Sequence, residues 1–270
     1  MKVTFLGGGN MGAAIVGGLV AKGFPAADIT VIEPGAPARE SLAARFGVAV
    51  REAAGPGLPP AEALVLAVKP QQMREAATAL AAAIGGQLVI SVAAGIRSTD
   101  LSRWLGGHRR IVRAMPNTPA LIGLGVTGLA APADLASGDR SLAERVLGSV
   151  GSTVWVDDES KLDAVTAISG GGPAYVFLFI EALEASAVEL GLSPSQARAL
   201  ALGTFSGAAQ LAAQSPEPPS TLRERVTSKG GTTAAALGEF AAGDLRGLFV
   251  KAMRAAQRRS VALGDEFGRD

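Results

Sequence analysis

Val3-Thr4-Phe5-Leu6-Gly7-Gly8-Gly9-Asn10-Met11-Gly12 is the stretch that decides the fold. An apolar run of β type breaks on glycine and gives way to a helical pattern over residues 12–22. In a chain with 35 glycines the spacing Gly7-x-Gly9-x-x-Gly12 alone is a weak signal. With a strand before it and an apolar helix after it, it becomes a dinucleotide-binding fingerprint. Gly7 makes the tight turn, Gly9 lets a pyrophosphate approach the backbone, and Gly12 permits close helix–strand packing. The helix N-terminus then faces the phosphates. Leu6, Asn10 and Met11 complete this candidate cofactor loop.

Further β-type runs follow at residues 29–32, 63–68, 87–92, 110–114, 126–129 and 153–156, several separated by Ala/Leu-rich helical stretches such as 38–46. Strand and helix alternating in this way predict βαβ units, a mostly parallel sheet and an α/β, Rossmann-type domain over residues 1–157. Unbroken apolar runs such as Leu64-Val65-Leu66-Ala67-Val68 suit strands covered on both faces. Beyond Asp157-Asp158-Glu159 the pattern is helical only, with candidates at 161–168, 174–190, 194–213, 220–226, 232–241 and 245–263. Residues 158–270 therefore read as an all-α domain. Ser193-Pro194 has the form of an N-cap followed by proline at N1, and Gly191 that of a helix stop.

Composition excludes several chemistries. A net charge of +1 gives no electrostatic preference for nucleic acid or anionic membrane. The absence of cysteine removes disulfides, thiolate nucleophiles and Cys-ligated metal, and no metal site is expected. His108, the one histidine, sits in Gly-Gly-His-Arg-Arg and reads as a solvated turn, which disfavours a His–carboxylate acid/base pair. Tyr175 is the one tyrosine, and Phe179 stands four residues on, so no Tyr-x-x-x-Lys relay exists. Met1 leads straight into an apolar strand without the regions of a signal peptide. The most apolar later run, 174–180, is stopped by Glu181 and Glu184, short of a membrane span. A soluble, cytoplasmic protein is expected.

Glu33 ends the second β-type run, about twenty residues past Gly12, where an acid binds the ribose 2′-hydroxyl of NAD and repels the 2′-phosphate of NADP. Arg39, further along, is placed to pair with such a phosphate, and the two residues pull in opposite directions. Two more loops follow strands: Ala67-Val68-Lys69-Pro70 and Ala93-Ala94. Their small residues let the backbone meet ribose and nicotinamide.

Five blocks carry a resemblance: residues 5–12, 67–71, Arg113-Ala114-Met115-Pro116-Asn117-Thr118-Pro119, Ser169-Gly170-Gly171-Gly172-Pro173-Ala174-Tyr175 and Val226-Thr227-Ser228-Lys229-Gly230-Gly231-Thr232-Thr233. In order and spacing the chain resembles the pyrroline-5-carboxylate reductases over essentially its whole length. The resemblance implies reduction of 1-pyrroline-5-carboxylate to L-proline, the last step of proline biosynthesis, with NADPH or NADH. It also implies a Rossmann domain and a helical domain that forms a homodimer, with further assembly of dimers. Ser228, Gly230, Gly231, Thr232 and Thr233 would hold the substrate's carboxylate and ring nitrogen, across the dimer from the cofactor, with Thr233 as the catalytic hydroxyl and Thr232 capping the following helix. Glu159 falls at a position implied to face ligand. Arg225 departs from the asparagine frequent in the family, and Glu33 from its Ser- or Arg-containing loops.

The residues support that chemistry independently. Gly230-Gly231-Thr232-Thr233 precedes a helical run, so its free amides form an anion nest. Reduction of a cyclic imine needs a hydride and a hydrogen bond to nitrogen, and no strong acid/base pair. Two rivals remain. A β-hydroxyacid dehydrogenase-like enzyme needs a catalytic lysine in the helix over 173–190, which has none. A non-catalytic dinucleotide-binding dimer would keep Gly7–Gly12 without needing the nest.

Overall fold

The computed structural model describes residues 1–55 and 60–269. The chain divides into two compact units. One comprises Met1–Gly171 with Ala255–Asp270, and the other Gly172–Arg254.

The first unit carries strands β1 (Val3–Leu6), β2 (Ile29–Ile32), β3 (Ala49–Arg51), β4 (Ala63–Leu66), β5 (Leu88–Ser91), β6 (Ile111–Met115), β7 (Gly125–Ala130) and β8 (Gly151–Trp155). Helices α1 (Asn10–Ala21), α2 (Ala36–Phe46), α3 (Pro70–Leu80), α4 (Ser98–Trp104), α5 (Ser137–Leu147) and α6 (Leu162–Val165) connect and follow them. The eight strands among the described residues form one sheet in the order β3-β2-β1-β4-β5-β6-β7-β8. The first six pair in parallel, with strand order reversing about β1 and β4, and ligands of such sheets bind at that switch point.

Strand period and helix face agree. On one side, Val3, Phe5, Val31 and Val65 pack against Ile15, Val16 and Leu19 of α1 and Val146 of α5. On the other, Leu6, Ile32, Leu64 and Leu66 pack against Met73, Ala77 and Leu80 of α3 and Leu101 and Trp104 of α4. Each central strand buries side chains on both faces, hence the unbroken apolar runs.

Two features depart from the sequence reading. β3, with only Val50 half-buried between two exposed residues, lies outside every β-type run of the sequence. β7 runs antiparallel to β6 and parallel to β8, which turns the far edge of the sheet around.

The first unit also extends past the charged cluster at 157–159. Leu162 and Ala167 are buried in it, and a side chain on Gly128 of β7 would strike Val165 Cγ1 at 2.6 Å. After α6 the helix widens into a π-helical turn over Thr166–Gly170, through the Ser169-Gly170 motif. Such turns recur at functional sites.

The second unit contains α7 (Gly172–Glu189), α8 (Pro194–Gln214), α9 (Pro219–Arg225), α10 (Thr232–Ala242) and the start of α11 (Leu245–Phe267). Ser193 caps α8 in a reciprocal capping box with Gln196, and Gly191 takes φ 92° after α7. Phe179 stacks on Phe249 at 5.5 Å. Within this unit Ala197 and Ala201 are the only buried residues, and Val176, Phe177, Leu178, Leu200 and Leu248 are exposed on the single chain. The stretch Glu159–Glu189 is long and apolar enough to cross a membrane by length and composition, with 6% of its most apolar window buried. The sequence reading placed it short of a span. The end of α11 returns to the first unit, where the Ser260 hydroxyl donates to Asp163 at 2.6 Å.

Candidate functional site

The strand register builds one edge of the site. Ile32, Leu6, Leu66, Ser91 and Arg113 stand side by side across β2, β1, β4, β5 and β6, so the loops that follow emerge together. Gly7 turns at φ 103°, and its amide donates to the Ile32 carbonyl at 2.8 Å.

The three fingerprint glycines separate cleanly by cause. A Cβ on Gly7 would stand 2.7 Å from the Ala67 backbone, and one on Gly12 only 2.3 Å from the Gly7 carbonyl oxygen. Those two glycines are demanded by the protein's own packing. A Cβ on Gly9 would meet nothing within 4 Å. Gly9 is the N-cap of α1, which has no side-chain cap and no acidic residue in its first turn. The open space thus lies over bare helix amides, as a pyrophosphate requires.

A cavity of about 550 Å³ opens at this turn and takes in Leu6, Gly7, Gly9, Glu33, Ala67, Val68 and Lys69. Of the other expected cofactor residues, Asn10 and Met11 lie in the first turn of α1, Gly12 is buried beneath the loop, and Pro70 begins α3 behind Lys69. Ala93 and Ala94 follow β5 outside that cavity. Their loop is braced from behind, because Gly95, at φ 75°, leaves only enough room for Phe267 at the end of α11.

Glu33 and Arg39 are both engaged. Glu33 accepts from the Gly8 amide at 2.8 Å and the Gly35 amide at 2.9 Å. Arg39 donates to the backbone carbonyls of Glu33 and Pro34 and pairs with Glu52 at 3.4 Å.

Glu159 is occupied as well. It accepts from the Ser98 amide at 2.7 Å, from the Ser98 hydroxyl, and from Arg113 at 2.8 Å. It caps α4 from a distant part of the chain. Burial pushes its carboxyl upward, but the Ser98 hydrogen bonds and the Arg113 charge outweigh that and hold it below the ordinary value. Sequence reasoning missed Arg113 and Ser98, although an arginine inside an apolar strand was a usable signal. Asn117, in the same block as Arg113, accepts from the Val126 amide at 2.9 Å and fixes the reversal into β7. His108, read as solvated, is half-buried ahead of β6, at the opposite end of the strands from these loops.

The second unit holds the glycine-threonine block. Gly230 takes φ 72°, the Gly231 amide donates to the Ser228 carbonyl at 3.1 Å, and Gly231 is the N-cap of α10. No side chain caps α10 and no acid lies in its first turn, so Thr232 does not play the capping role expected of it. Ser228, Thr232 and Thr233 are exposed. Arg225 is held by Glu217 through two contacts of 2.6 Å.

Residues 159–263 match the family model described as pyrroline-5-carboxylate reductase dimerisation, and residues 2–95 the model described as NADP oxidoreductase coenzyme F420-dependent. Over 268 residues the chain is 44% identical to a pyrroline-5-carboxylate reductase of Pseudomonas aeruginosa, covering 99% of this chain and 98% of that one. The chain belongs to the pyrroline-5-carboxylate reductase family. Among solved reductases, that of Coxiella burnetii superposes with a TM-score of 0.93 at 39% identity, covering 97% of this chain and 98% of the other. The Plasmodium falciparum enzyme, solved with NADP bound, superposes at 0.85 with 28% identity and 98% of both chains covered.

Proposed function

We propose that the protein reduces 1-pyrroline-5-carboxylate to L-proline, the last step of proline biosynthesis, with NADH or NADPH. The observation that carries this is the bare end of α1 beneath open space at the glycine turn, together with that of α10; α2 also starts on a glycine, but the Gly35 amide is taken by Glu33. Both α1 and α10 start on a glycine N-cap with no side-chain cap and no acid in the first turn. One suits a dinucleotide pyrophosphate, the other a substrate carboxylate, and neither needs an arginine.

The nicotinamide, when bound, supplies the hydride. Leu6, Gly7, Gly9, Asn10, Met11 and Gly12 form its phosphate turn, with Glu33, Ala67, Val68, Lys69, Pro70, Ala93 and Ala94 along the rest of the dinucleotide. Ser228, Gly230, Gly231, Thr232 and Thr233 hold the substrate. The amides at the start of α10 take its carboxylate, and the Thr233 hydroxyl hydrogen-bonds the ring nitrogen. The imine carbon gains the hydride, and the nitrogen takes a proton to become the amine. Glu159 is better supported as a positioning residue beneath the loops after β5 and β6 than as a ligand, since Ser98 and Arg113 occupy its carboxylate.

The helical unit makes the protein a homodimer, which explains the apolar stretch Glu159–Glu189 without a membrane. Assembly of dimers and a cytoplasmic location complete the reading, supported by the membership of a biosynthetic family. The test is oxidation of NADH and NADPH in the presence of pyrroline-5-carboxylate with L-proline identified as product. Nucleotide binding without any proline formed would sink it.

A further inference from the structure

The geometry points to Glu33 as a selector that makes this chain prefer NADH over NADPH. The inference rests on the dinucleotide reading of the glycine turn and adds to it which adenosine ribose the site accepts.

Glu33 is not a solvated strand-end carboxylate. Its two oxygens accept from the Gly8 and Gly35 amides at 2.8 and 2.9 Å, which fixes the group at the mouth of the cavity beside the phosphate turn. Gly8 has no side chain to spare there, since a Cβ would lie 2.5 Å from Leu42 Cδ1 and 3.3 Å from Glu33 Cβ. The carboxylate is therefore preorganised before any nucleotide arrives. A ribose 2′-hydroxyl can donate to a lone pair of this carboxylate, because each oxygen accepts more than one hydrogen bond. A 2′-phosphate, carrying about −1.5 to −2 charge at pH 7, sets its negative charge against a fixed negative group instead.

The neighbouring charges deepen the effect. Among the described residues lining the cavity, Glu52 and Glu75 add two further carboxylates, and Lys69 is the one cation. Arg39, the residue placed to rescue a 2′-phosphate, is already spent. Its guanidinium bonds the Glu33 and Pro34 carbonyls and pairs with Glu52, and its side chain is 19% exposed.

Equilibrium binding of NADH and NADPH to the full-length protein, without imine substrate, tests this through the fluorescence of the nicotinamide. NADH should bind about ten- to a hundred-fold more tightly, the span of one hydrogen bond to a charged group. Raising the salt should narrow the gap, because screening weakens the repulsion. Glu33→Gln and Glu33→Ser should both tighten NADPH relative to NADH. If Glu33→Ser loosens the turn, both affinities fall together, and the ratio in wild type and in Glu33→Gln still reads the selector. Wild-type protein that binds NADPH as tightly as NADH overturns the inference, as does a ratio unmoved in both variants. Failure to bind either nucleotide overturns the dinucleotide reading and takes the selector with it.

Discussion

At the scale of single residues, Gly9 and Gly12 look equivalent in the fingerprint and are opposite in cause. Gly12 answers to the fold, whereas nothing in the fold demands a glycine at position 9, so the same substitution should have opposite consequences. Gly12→Ala, with its new methyl 2.3 Å from a backbone oxygen, should cost about 1–3 kcal/mol of stability or more. Gly9→Ala should melt like wild type and lose nucleotide affinity. Thermal melts and nucleotide titrations of the two variants separate these outcomes, and a destabilised Gly9→Ala protein would contradict the assignment. In the loop proposed to hold substrate, Thr233→Ala keeps the amide and removes the hydroxyl. One lost hydrogen bond to a group that develops charge should lower kcat by about ten- to a hundred-fold. Thr233→Ser should retain most activity. Thr232→Ala keeps the amide offered to the carboxylate and removes a hydroxyl that caps nothing, so its stability should stay near wild type. Steady-state kinetics with saturating nucleotide are the check, and undiminished turnover in Thr233→Ala removes the catalytic role.

At the scale of elements, α4 is a seven-residue helix whose N-terminus is capped by Glu159, 61 residues away in sequence. That cap ties the chain after β8 to the loop after β5, and Arg113 of β6 closes the triangle. Because the folded protein holds Glu159 below its ordinary value of 4.5, its contribution is fully present above that pH. It is lost as the pH falls through the lowered value. Glu159→Gln should therefore be less stable than wild type by about 1–3 kcal/mol at neutral pH. The difference should shrink below about pH 4.5, which urea unfolding midpoints measured down the acid range would show. A gap that stays constant into acid would mean the charge is not what matters.

Legibility also varied by element. The strands β1, β2, β4 and β5 were readable because burial on both faces leaves only apolar residues. β3 was not, because an edge strand with two exposed residues of three has no hydrophobic pattern to detect. The direction of β7 was equally hidden, since strand periodicity is the same in either orientation. Glu52, which follows β3 directly, lies in the same patternless stretch. The glycine loops are legible because their spacing is local, whereas the Ser98–Glu159–Arg113 triangle joins residues 46 and 61 positions apart, and Arg113 inside an apolar strand marks only one corner of it.

At the scale of the whole molecule, the second unit has no core of its own beyond two alanines. Phe177, 58% exposed on the single chain, and its neighbours must be covered by a second copy for the fold to persist. Phe177→Asp should abolish the dimer and proline formation together. Sedimentation of wild type and variant gives the answer, and an active monomer at assay concentration would refute obligate pairing. The division of the chain has a temporal side as well. Residues 255–269, which include the Phe267 that backs Gly95, leave the ribosome after the entire helical unit. At about 5–20 residues per second, the nucleotide-binding unit waits several seconds between making its sheet and receiving its last brace. Throughout that interval the newborn polypeptide carries an unbraced loop after β5, so exposure to protease during translation should concentrate there and fall once Phe267 is in place.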